Sequence, residues 1–85
     1  MTAGEALAMV KRAALTHQLE IRTHARQRMK ERGIRLADVE YACLSAPEAV
    51  LQSNERWCLK GQDLDGEALT VIATIEAGVI VVTVF

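Results

Sequence analysis

Eighty-five residues, 51% of them hydrophobic, suit one domain with a single modest core and exclude an intrinsically disordered chain. No long apolar stretch follows a basic start, and the apolar run Val79–Phe85 is far short of the roughly 20 residues a spanning helix needs, so neither a signal peptide nor a membrane span is expected. The net charge of −1 hides an asymmetry: residues 22–35 hold six of the ten basic residues against one acid, Glu31, which makes a cationic face able to attract phosphate or an acidic protein segment.

The first predicted element is a helix from about Ala3 to His17. Thr2 and Glu5 have the spacing of a capping box, and Leu7, Val10 and Ala14 recur at helical spacing. Gln18–Arg22 reads as a link, with room for a brief strand around Glu20–Arg22. Thr23 suits an N-cap and Gly33 the position after a helix, which places a second helix over His24–Arg32. A third helix runs from about Leu36 to Leu44 with Leu36, Val39 and Cys43 on one stripe, and Ser45-Ala46-Pro47 ends it.

After Pro47 the period changes from 3.6 to 2. Glu48–Gln52 reads as a strand, Ser53-Asn54-Glu55 as a turn, and Arg56–Lys60 as a strand with Trp57 and Leu59 on one side. Gln62–Gly66 is a hairpin loop, with Gly61 and Gly66 read as hairpin glycines rather than a phosphate loop. Leu69, Val71, Ala73 and Ile75 line one face of a third strand, and Glu76-Ala77-Gly78 turns into the last, Val79–Phe85. That last strand is apolar on both sides, with Ile80, Val82 and Val84 against Val79, Val81 and Phe85, as in a central strand covered on both faces. The expected architecture is α+β: one domain over residues 1–85, with N-terminal helices packed on a four-stranded antiparallel sheet.

Cys43 and Cys58 form no C-x-x-C pair. They read as reduced, buried thiols of a cytoplasmic protein. A zinc set from His17, His24, Cys43 and Cys58 lacks standard ligand spacing, so no metal and no cofactor is expected.

The second helix carries the chemistry. With Ala25 and Met29 at the centre of its buried face, His24, Arg28, Glu31 and Arg32 fall on one stripe, while Arg26 and Lys30 point to solvent. The positive end of the helix dipole disfavours imidazolium, so His24 is suited to accept a proton. Arg28 and Arg32 stay charged and can grip phosphate oxygens. A base beside two fixed cations is what metal-free RNA cleavage needs: the base takes the 2′-hydroxyl proton, and the cations stabilise charge growing on the phosphate. Arg56 and Lys60 share one strand face and extend the basic surface on this reading.

A plain structural reading competes. Arginines beside a buried face often lie over the core and pair with acids, here Glu31, Asp38 or Glu40, and His24 can simply cap or pack. Arg26 and Lys30 read more simply as a solvated face, and Trp57 as core rather than a base-stacking platform.

The stretch Thr23–Ile34, with its histidine followed by Arg28-Met29-Lys30-Glu31-Arg32-Gly33-Ile34, resembles the signature of a bacterial family known only as domain of unknown function four-two-five-eight. Asp38-Val39, Gly61, Gly66 and Val82-Thr83-Val84-Phe85 fit its later parts, so the resemblance covers about residues 20–85, with residues 1–18 an added helix. Such domains resemble the small RelE/BrnT-type toxins of toxin–antitoxin systems. The resemblance implies a RelE-like layout, metal-independent RNA cleavage, and an antitoxin protein as partner. It implies His24, Arg28 and Arg32 as the catalytic positions. Arg35 departs from the pattern, standing where a small polar cap is usual. No second acid–base residue is evident, with only Tyr41 and Lys60 as candidates to protonate the leaving group.

Two functions follow as expectations. The first is a toxin-like RNA endonuclease, or a degenerate relative, with Arg22, Arg26, Lys30, Arg35, Arg56 and Lys60 assisting in nucleic-acid binding. The second is a non-catalytic module that binds protein or nucleic acid through residues 22–35 and forms a homodimer through a sheet edge or the two-faced last strand.

Overall fold

The computed structural model describes all residues, 1–85. In chain order the elements are α1 (Ala3–Leu15), β1 (Leu19–Ile21), α2 (Thr23–Arg32), α3 (Leu36–Ser45), β2 (Ala49–Leu51), a 3-10 turn (Ser53–Glu55), β3 (Trp57–Gln62), β4 (Ala68–Ile75) and β5 (Val79–Val84). The strands form one sheet in the order β1-β5-β4-β3-β2. β1 runs parallel to β5, and the other neighbours are antiparallel. The α+β class holds, but the expected four antiparallel strands become five in a mixed sheet. Three residues are too few to reveal a strand by alternation. What makes Leu19–Ile21 one is its pairing with Val79–Val81, far along the chain.

Local chemistry explains most boundaries. Thr2 Oγ1 accepts from the Glu5 N–H at 3.1 Å, and Glu5 Oε1 accepts from the Thr2 N–H at 2.7 Å, closing the capping box of α1. α1 stops at Leu15, short of His17: the Thr16 hydroxyl donates to the Arg12 carbonyl, and His17 turns the chain at φ 58°. α2 starts one residue before the expected position. Thr23 is its first helical residue, and the capping position falls to Arg22, whose side chain makes no capping bond. Gly33 ends α2 at φ 65°, the left-handed conformation that glycine adopts without strain.

All three helices contribute to one 20-residue core on one face of the sheet. α1 gives Ala6, Val10, Ala13 and Ala14, α2 gives Ala25 and Met29, and α3 gives Val39, Ala42 and Cys43. The sheet answers with Trp57 and Leu59, Leu69, Val71 and Ala73, and Val79, Val81 and Val84. Full burial of a Val or Leu here stabilises by about 1.5–3 kcal/mol. The last strand departs from strict alternation. Ala73 pairs with Val81 and Ile72 with Thr83, so Val82 is the extra residue of a bulge and Val84 joins Val79 and Val81 in the core. Phe85 is exposed.

β5 is interior, as expected of so apolar a strand, but the helices cover only one of its faces. On the other face Cys58, Ile72 and Ile80 are shielded by their neighbours and stand outside the main core. Gly61, expected in a hairpin, sits within β3 directly beneath α3. A Cβ at that position would drive into the Ala42 carbonyl.

Candidate nucleic-acid interface

α2 lays Ala25 and Met29, one turn apart, against β5. That contact fixes the rotation of the helix and the direction of every other side chain on it. His24 and Arg32 are exposed, and Arg28 between them is half-buried. Arg26 and Lys30 face solvent. The Arg28 Nε is shut away from solvent and has no hydrogen-bond partner.

None of His24, Arg26, Arg28, Lys30 or Arg32 pairs with a carboxylate. The ion pairs of the molecule are His17–Glu40, Arg22–Glu76 and Arg35–Asp38. Glu31, the one acid on α2, accepts instead from the Gln27 side-chain amide at 3.2 Å. Arg22 reaches Glu76 only at 3.8 Å between exposed groups, a pair of little energetic weight. Arg35 is drawn elsewhere: its Nε lies 3.3 Å from Asp38 Oδ2, and its backbone N–H donates to the same oxygen at 3.0 Å. Those bonds, with another from the Leu64 N–H, hold the Asp38 carboxyl below the usual aspartate range.

Arg56 and Lys60 do not extend the α2 surface. They belong to the β3 side of the sheet, separated from β5 by β4. Lys60 alternates with Leu59, which is core, so it lies on the face without helices. There it lines a depression of about 230 Å³ with Pro47, Glu48, Val50, Gln52 and Cys58. A second depression gathers Met1, Leu51, Glu55, Trp57, Thr74, Ile75 and Glu76 at one end of the sheet. Neither contains a residue of α2, whose basic side chains form a cationic ridge outside both depressions. Trp57 is buried in the core and offers no stacking platform.

The structure also makes one polar pair that the sequence concealed. His17 Nδ1 lies 2.8 Å from Glu40 Oε2, with the imidazole side chain 78% exposed and the carboxylate only 13%. The pair ties the end of α1 to α3 across 23 residues, and no local spacing announces it. One turn along α3, burial and then the charge of Glu40 push the Cys43 thiol up to about 12. Tyr41 is exposed on the same helix. No group of three or more His, Cys, Asp or Glu side chains is placed to hold a metal ion, so His17, His24, Cys43 and Cys58 do not gather into a site. No helix is long and apolar enough to cross a membrane.

The profile of the family described as Domain of unknown function (DUF4258) matches residues 21–85. The chain belongs to that family. The DUF4258 span begins on the last residue of β1 and takes in α2, α3 and β2 to β5. It thus includes the whole cationic ridge. α1 lies outside the DUF4258 match, yet Ala6, Val10, Ala13 and Ala14 of that helix are integral to the core. No curated protein and no solved structure matches the chain.

Proposed function

We propose that this DUF4258 domain binds the phosphate backbone of RNA through α2, with Arg28 and Arg32 making the contact and His24 beside them. The observation that carries the reading is the unpaired state of the arginines. Arg28 is half-buried and directional, its Nε has no acceptor, and no carboxylate competes for it or for Arg32. A guanidinium without an internal partner can take phosphate oxygens in charge-assisted hydrogen bonds. Arg26 and Lys30 on the adjoining face add long-range attraction.

Neither depression includes a residue of α2, which supports binding over chemistry, because an active site ordinarily needs a recess that excludes water. The toxin-like endonuclease remains the second reading. It is supported by His24, which is exposed, unpaired and one turn from Arg28, and by the resemblance of the Thr23–Ile34 motif to RelE/BrnT-type toxins. On that reading His24 removes the 2′-hydroxyl proton, Arg28 and Arg32 stabilise the phosphorane, and an antitoxin is the natural partner.

Fluorescence anisotropy with single-stranded RNA, repeated at several salt concentrations, tests both readings. The Arg28→Ala/Arg32→Ala variant is expected to bind at least tenfold more weakly, and His24→Ala to bind normally. Equal binding by wild type and the double arginine variant would sink the proposal. RNA cut by wild type but not by His24→Ala would establish the second reading.

A further inference from the structure

α1 buries Ala6, Val10, Ala13 and Ala14 and packs against α3 and β2. Its opposite side is open. Glu5, Ala8, Arg12 and Leu15 are all exposed, and at about 100° per residue they fall within about 80° of one another. Residues spaced in this way, alternately three and four apart, form the seam along which one helix lies on another. Leu15 is 68% exposed, and Met9, which borders the stripe, is 41% exposed. None of these residues belongs to α2, and α1 lies outside the DUF4258 match.

Charge is sorted along this helix. Glu5, its only acid, stands in the first turn, whereas Lys11 and Arg12, its only bases, stand in the second half. The ion pairs of the molecule use none of the three. Glu5 and Arg12 are about 10 Å apart along the axis and do not pair with each other. The backbone bond from Thr2 holds the Glu5 carboxyl below the usual glutamate range, so it is ionised at neutral pH. The open stripe thus carries a lone acid at one end, a lone cation towards the other, and apolar side chains between and beyond them.

We propose that α1 docks on α1 of a second copy of this chain, antiparallel about a two-fold axis between Ala8 and Met9. In this register Glu5 lies beside Arg12 of the partner subunit, and the symmetry makes that pair twice. Both residues stand on the same flank of Ala8, and a two-fold normal to the helix pair keeps each flank on its own side. Ala8 lies beside Met9 of the partner subunit, and its small side chain lets the axes approach to about 8–10 Å. Leu15 reaches Thr2 of the partner subunit, at the start of the helix.

The charges select this arrangement over its rivals. A parallel pair would set Glu5 against its own copy and Arg12 against its own. An antiparallel slip of one turn would set Glu5 beside Ala8 or Thr16 of the partner subunit and lose both ion pairs. Opposed helix dipoles favour the antiparallel sense as well. A helix of another protein has no need to match this order of acid, apolar groups and base, whereas a second copy matches it by symmetry. One helix a side, about 20 Å long, is smaller than a standard interface, so the association is expected to be weak and reversible. It uses no residue of the α2 ridge and stands independently of RNA binding.

Sedimentation equilibrium at protein concentrations up to about 1 mM tests the pairing. Wild type is expected to show a monomer–dimer equilibrium that weakens with added salt. Glu5→Lys and Arg12→Glu each set like charges together at both pairs and are expected to weaken the dimer by roughly tenfold or more. Mixed in equal amounts, the two variants bring opposite charges back together at both positions, and a heterodimer of about wild-type strength is expected. Glu5→Lys also loses part of the α1 cap, so far-ultraviolet circular dichroism checks its fold, and rescue by mixing separates lost pairing from lost structure. Arg26→Glu, on α2, changes the net charge equally and is expected to leave the dimer intact. A wild type that stays monomeric throughout, a dimer that survives both α1 charge reversals, an equal loss with Arg26→Glu, or a mixture of the two folded variants that stays monomeric would each overturn the proposal.

Discussion

Asp38 accepts a hydrogen bond from the backbone N–H of Leu64 at 3.0 Å, joining the first turn of α3 to the β3–β4 loop across 26 residues. The carboxylate is 5% exposed, and its second oxygen serves Arg35. One buried acid thus satisfies a helix start and a hairpin loop together.

Replacing Asp38 with Ala strands the Leu64 and Arg35 N–H groups, and is expected to cost about 1–3 kcal/mol in urea denaturation. The pH dependence has a definite sign. The folded carboxyl is held below its ordinary value of 3.8, so its contribution is fully present above that value and is lost as the pH falls through the lowered one. The stability gap between wild type and Asp38→Ala should therefore be constant near neutrality and narrow in acid. A gap that widens in acid would contradict the assigned bonding.

Gly61→Ala tests the seat of α3 on the sheet. The added methyl meets the Ala42 carbonyl and lies 2.8 Å from Ser45 Oγ, so helix or strand must move. The expected loss is about 1–3 kcal/mol or more. Gly66→Ala serves as the contrast. Its position has φ 82° and open space around it, so only the backbone cost of about 1–2 kcal/mol applies. Thermal melts of the two variants separate steric from conformational penalties: a folded-state crystal of Gly61→Ala should show displaced α3, whereas Gly66→Ala should not.

Cys43 should be inert in the folded protein. Its thiol, fully buried and pushed up to about 12, is protonated at neutral pH. Labelling with a thiol reagent is expected to proceed at Cys43 only at the rate of global unfolding, accelerating in denaturant. Rapid modification of Cys43 in native conditions would mean that α3 opens locally.

The ridge on α2 predicts a directional salt effect. If Arg28 and Arg32 contact phosphate, each Ala substitution should lower the slope of log affinity against log salt by about 0.7 for single-stranded RNA. Lys60→Ala, on the opposite face of the sheet, should leave the slope unchanged. A Lys60→Ala effect equal to that of Arg28→Ala would place the RNA on the wrong face for the present reading.

Much of the site was legible because helix geometry is local. Ala25 and Met29 recur at i, i+4, and that spacing alone placed Arg28 beside the buried face and Arg26 and Lys30 in solvent, where they are found. Arg56 and Lys60 fall outside that local rule. Their alternation with Trp57 and Leu59 was correct, but it does not say which side of the sheet the helices occupy. The capping of α2 by Arg22 was also hidden, since the start of that helix is set by the Arg22 N–H bonding to Val81, a strand contact, and not by a polar side chain.

The amino-acid order by itself determined the α+β class, the three helices, the hairpins of β3, β4 and β5, and the clustering of positive charge between residues 22 and 35. Each depends on spacings of a few residues, where hydrophobic period, caps and turn residues act directly. Only the tertiary structure decided that Leu19–Ile21 is a fifth, parallel strand, that the helices crowd one face and leave Lys60 on the other, that His17 reaches Glu40, and that Ala49–Leu51 is the last strand at one side of the sheet. Those features join residues far apart in the chain. They arise from packing one shared core, whose energy is collective and leaves no local signature.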